Sequence, residues 1–150
     1  MSLSESLALS IVGAIIVLGL VTGCQSAGSH ASVRIAGSTG KTVQQTVDSV
    51  LQKNGYALIT RSSEGTIFER TATDMDSLKW GGWGQGARVV IRLKVTLVTI
   101  ASGDCVVKCD AFYVRDPGDR AFEDEQRLML LSRKPYQKLL DEVKQQLQAP

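Results

Sequence analysis

Hydrophobic and polar residues alternate along Arg88–Thr99, where Val89, Ile91, Leu93, Val95 and Leu97 stand opposite Arg88, Arg92, Lys94 and Thr96. Successive side chains leave a strand on opposite sides, so this period of two predicts a β-strand with one buried and one mostly wet face. Val90 and Val98 are the exceptions on the polar side. Ser102-Gly103 then turns the chain into a second alternating run. Its Cys105, Val107, Cys109, Ala111 and Tyr113 lie opposite Lys108 and Asp110, with Val106, Phe112 and Val114 blurring the polar side. A connection this tight predicts antiparallel pairing. Pro117-Gly118 reads as the end of the sheet.

Upstream, Val33–Ala36 is a short strand candidate and Gly37–Gly40 a turn. Val43, Val47, Val50 and Leu51 then fall on one face of a helix over about Lys41–Lys53. Asn54-Gly55 stops it, the glycine supplying a left-handed cap. Tyr56–Arg61 and Thr66–Thr71 read as a hairpin around Ser62–Gly65, and Ala72–Gly86 as a long irregular stretch. The C-terminal segment reads as helical, broken or bent near Pro135, with Tyr136, Leu139, Leu140, Val143 and Leu147 as its apolar stripe. Glu123, Asp124 and Glu125 are consecutive and read as a solvated helical face. The order is β-α-β-β-β-β-α. One-sided helices and a one-sided sheet must bury their apolar faces on each other. The expected fold is α+β: a two-layer sandwich on a mainly antiparallel sheet, with both helices on one face and the other face in water.

The first residues follow a different pattern. Leu7–Val21 contains no charge, and its 15 residues fall short of the roughly 20 needed to span a bilayer but suit a secretory leader. Small residues and a cysteine follow at once, as Val21-Thr22-Gly23-Cys24. This run resembles the lipobox of bacterial lipoproteins. The resemblance implies cleavage after Gly23, acylation of the Cys24 thiol and of the new amino terminus, and a membrane anchor there. Gln25, in place of Asp, resembles the sorting pattern that sends such proteins to an outer membrane, with the domain facing the periplasm. Met1–Ser6 departs from the pattern, holding Glu5 and no basic residue. The other reading of the segment is an uncleaved short membrane anchor, which also attaches the chain. The expected organisation is a signal peptide over 1–23, a flexible Ser/Ala/Gly-rich tether over 24–32, and one α+β domain over 33–150.

Composition narrows the function. The chain is 43% hydrophobic and 21% charged, too apolar for disorder, and 150 residues make one ordinary domain. Without residues 1–23 it carries 17 basic and 14 acidic residues. The bases are scattered, which argues against a nucleic-acid surface. Gly37-Ser38-Thr39-Gly40-Lys41-Thr42 sits where a phosphate loop would, but Ile35 holds the position of the first Walker glycine. The segment reads instead as a capping turn using Ser38 or Thr39. Cys105 and Cys109 lie about 13 Å apart along one strand, beyond the roughly 7 Å of a disulfide, and read as buried inert thiols.

His30, the one histidine, lies in the tether, so no Ser-His-Asp or Cys-His arrangement can be assembled in the domain. No catalytic residues, cofactor or metal site are expected. Trp80-Gly81-Gly82-Trp83-Gly84-Gln85-Gly86 has two readings. One tryptophan plugs the core edge while the glycines permit the turn. Alternatively Trp80 and Trp83 contact a partner or the membrane interface, where indoles are favoured. The leading expectation is a lipid-anchored, non-catalytic binding or scaffold domain of the cell envelope with an envelope protein as partner. The alternative is a small-ligand-binding or enzymatic domain with a pocket near the Trp80–Gly86 loop.

Overall fold

The computed structural model describes residues 31–73, 88–129 and 132–149. Their order is β1 (Ala31–Ile35), α1 (Gly40–Lys53), β2 (Ala57–Ser62), β3 (Gly65–Thr71), β4 (Val89–Thr99), β5 (Cys105–Arg115), β6 (Asp124–Arg127) and α2 (Arg133–Gln148). The fold is α+β, with a six-stranded antiparallel sheet in the order β1-β5-β4-β3-β2 and β6 also on β5. Both helices pack on one sheet face.

Alternation builds the core as expected. Ala31, Val33 and Ile35 of β1, Phe68 of β3, Ile91, Leu93 and Val95 of β4, and Cys105, Val107, Cys109, Ala111 and Tyr113 of β5 are all buried. They meet Val43, Val47, Val50 and Leu51 of α1 and Tyr136, Leu140 and Val143 of α2. Thr39 caps α1, its hydroxyl accepting from Thr42 N–H at 3.2 Å. At the other end Gly55, at φ +85°, lets its own N–H reach the Gln52 carbonyl and Tyr56 N–H reach that of Leu51. Those two bonds form a Schellman motif, and the buried Tyr56 and Leu51 supply its apolar contact.

The structure corrects several expectations. β1 starts at Ala31, two residues inside the stretch read as tether, because Ala31 and Val33 alternate into the core with Ile35. The sheet does not end at Pro117-Gly118. The chain returns, and β6 pairs with Phe112–Arg115. β1 reaches only Cys109 on that same edge of β5, so β6 satisfies backbone groups that β1 leaves unpaired. Asp124 and Glu125 are therefore strand residues, and Glu123 precedes the strand; none fans around a helix. Pro135 lies in the first turn of α2, where a proline costs no intrahelical bond, and starts the helix instead of bending it. The second sheet face is not simply wet either, for Val90 and Val114 pair across β4 and β5 and are buried there.

Candidate functional site on the second sheet face

The face turned away from the helices gathers charge from four strands. Register places Glu69, Arg92, Phe112 and Arg127 in one row across β3, β4, β5 and β6, with Ile67, Lys94 and Asp110 in the next. Arg92 is the hub. Its Nε donates to Glu69 Oε1 at 2.7 Å, and its Nη1 donates to Glu123 Oε1 at 2.7 Å and Glu125 Oε2 at 2.8 Å. Glu123 also accepts from the Gly118 N–H at 2.6 Å, closing the loop that leads into β6. Lys94 pairs with Glu125 and lies 4.4 Å from the centre of the Phe112 ring, while Arg127 pairs with Asp110.

These contacts set the charge states. Hydrogen bonds from Arg92, then from Gly118, pull the Glu123 carboxyl down to about 2. The same carboxylates raise the Arg92 guanidinium above its ordinary value, outweighing the opposing cost of burial. Groups held so far from neutrality neither take nor give a proton near pH 7. The cluster acts as a clasp that fixes β6 and its loop to the sheet.

The same face holds a groove of about 340 Å³ beside the β2–β3 turn, lined in part by Glu64, Gly65, Ile67, Lys94, Thr96 and Asp110. A second groove of about 460 Å³ lies between the end of α1 and α2, where the Arg70 guanidinium stands 5.3 Å from the Tyr56 ring centre. Both open to solvent. Among the described residues, no group of three or more His, Cys, Asp or Glu is placed to hold a metal ion.

Of the residues singled out in the sequence, Cys24, Trp80, Trp83 and His30 lie outside the described residues. The connection that carries both tryptophans leaves and rejoins the sheet at one end. Ala72 N–H bonds the Val89 carbonyl there, beside the Val89–Arg115 and Arg115–Asp124 pairs. Cys105 and Cys109 are free and buried on the core face. Burial first, then the neighbouring Asp110, pushes the Cys109 thiol up to about 12. That leaves it a poor nucleophile.

The Arg92 cluster was missed in the sequence, although a signal existed. Arg92 and Lys94 are spaced by two on a strand, and Glu123 and Glu125 repeat that spacing with opposite charge. Reading the acids as helical hid the match. No family model matches the chain, and no curated protein matches it.

Proposed function

We propose that the protein is a lipid-anchored lipoprotein of the bacterial cell envelope, whose α+β domain binds or scaffolds other envelope components without catalysis. The observation that carries this reading is the charge-free run Leu7–Val21 ending in Val21-Thr22-Gly23-Cys24. The position of β1 supports it, because only six residues of sequence, 25–30, lie between Cys24 and Ala31. A coil of six residues spans on the order of 13 Å. The domain thus stays beside the membrane that holds the acyl chains, and Gln25 favours the outer membrane. Paired acyl chains make such an anchor durable, at about 0.8 kcal/mol per buried CH₂.

Trp80 and Trp83 complete the reading as contacts to a partner or to the membrane interface. Cys24→Ser should move the protein from the membrane fraction to soluble or unprocessed forms. Unchanged membrane fractionation and unchanged size would contradict the anchor. For the contact role, Trp83→Ala and Trp80→Ala are compared in stability and in capture of crosslinked envelope proteins. Weaker capture with stability within about 0.5 kcal/mol supports a contact surface. A loss of about 3 kcal/mol with no change in capture assigns both rings to the core.

A further inference from the structure

Three parts of the fold meet where the chain enters β1. β6 and β1 lie end to end on one edge of β5, with Arg127 opposite Phe112, Leu128 N–H on the Ala111 carbonyl, and Ala31 opposite Cys109. Met129 follows directly and is 63% exposed. The Ser132 N–H bonds the Met129 carbonyl as the chain turns into α2. One turn into that helix, the Gln137 amide holds both backbone groups of Ser32, accepting from its N–H at 3.3 Å and donating to its carbonyl at 3.0 Å. Arg133 donates to the same Gln137 oxygen at 3.2 Å. Met129, the first half of α2 and the start of β1 are therefore neighbours.

The charge on the first half of α2 is positive. Between Ser132 and Leu140 the only charged residues are Arg133, Lys134 and Lys138, all exposed. The acids of α2, Asp141 and Glu142, come later. Of two nearby acids, Asp110 pairs with Arg127, while Asp141, one turn beyond Gln137, accepts from its neutral amide and keeps its charge, so three cations stand against one acid.

We propose that this surface, formed by Met129, Arg133, Lys134 and Lys138, lies on the anionic lipid headgroups of the leaflet that holds Cys24. The inference rests on the acylated anchor proposed above. Two features favour a lipid surface as the occupant. Only six residues of sequence, 25–30, separate Cys24 from Ala31, which lies beside this surface, and contact with the leaflet brings these cations within the Debye length of about 8–10 Å of the headgroup charge. The surface also pairs three cations with one exposed apolar side chain, the combination that suits an anionic interface. Exposed Leu58 and Ile59, in contrast, lie on β2 at the opposite edge of the sheet.

The test uses the full processed protein in phosphatidylcholine vesicles with and without phosphatidylglycerol. A spin label is placed through Met129→Cys or, as a control, Ile59→Cys, and its contact with water-soluble and lipid-soluble relaxants is read. The buried Cys105 and Cys109 escape labelling in the native state. With phosphatidylglycerol present, the label at 129 should pass into the headgroup zone and the label at 59 should stay in water. Reversing Arg133→Glu and Lys134→Glu together should reduce the docked fraction by about tenfold or more. Added salt should weaken docking in the unreversed protein.

A label at 129 as wet as that at 59, in a chain whose mass shows acylated Cys24, overturns the docking alone. Shielding at 129 in detergent without lipid also overturns it, in favour of a protein contact. An unacylated Cys24 overturns the anchor and the docking together.

Discussion

Arg92 leaves β4 on the sheet face that the alternating pattern assigned to water, yet its side chain is only 13% exposed. Three carboxylates satisfy it; without the guanidinium Glu69 loses this donor, while Glu123 keeps the Gly118 N–H and Glu125 keeps Lys94. Arg92→Ala is therefore expected to destabilise the fold by about 3 kcal/mol, chiefly because the nearly buried Glu69 carboxylate is left without its cation. Chemical denaturation measures this directly. The pH dependence follows from Glu123. Its carboxyl is held at about 2 in the fold against an ordinary 4.5, so the unfolded chain takes up the proton first as pH falls. The stability that Glu123 contributes is complete above about pH 4.5 and is lost as pH falls towards 2. Glu123→Gln should be less stable near neutrality and lose less stability across that acid range. An unchanged acid profile in the variant would show that another carboxylate controls it. The core cysteines behave differently. Cys109→Ser should cost about 1 kcal/mol or more, because a buried hydroxyl needs a partner, and native-state thiol labelling of the unsubstituted protein should be slow.

At the scale of elements, Gln137 replaces a missing strand. Its side-chain amide bonds both outward-facing backbone groups of Ser32, so the edge of β1 does not offer them to another chain. Gln137→Ala should cost about 1–2 kcal/mol and raise concentration-dependent association, measured by denaturation and light scattering. Gly65 does comparable work in the β2–β3 turn. It sits at φ +150°, and an added Cβ would stand 2.7 Å from the Val95 carbonyl oxygen. Gly65→Ala must push β3 away from β4, and a loss of about 1–3 kcal/mol is expected. Periodicity made α1, the β2–β3 hairpin, β4 and β5 legible, because each buries one face and exposes the other in a regular rhythm. β6 was illegible for the opposite reason. Asp-Glu-Gln-Arg has no apolar face, and it is a strand because β5 had unpaired backbone beyond β1 and because Arg92 drew in its carboxylates. Local pattern reports what a segment buries in the core; it does not report which distant edge needs a partner.

For the whole molecule, the two ends of the argument have different sources. The sheet, its order and its helix-covered face follow from the folded residues. The proposed location and anchor rest on the first 24 residues, where a charge-free run ends in Val21-Thr22-Gly23-Cys24. They meet at β1, beside Met129 and the basic half of α2. Among the described residues no helix is long and apolar enough to cross a membrane. The attachment proposed above rests on the sequence that ends at Cys24, and its chemistry can be weighed. The decisive measurement is the mass of the N-terminal peptide of the mature protein purified from its native host membrane. The account predicts a peptide that begins at Cys24, lacks residues 1–23 and carries the added mass of acyl chains on both the thiol side and the amino terminus. A chain that begins at Met1 with an unmodified Cys24 would contradict it.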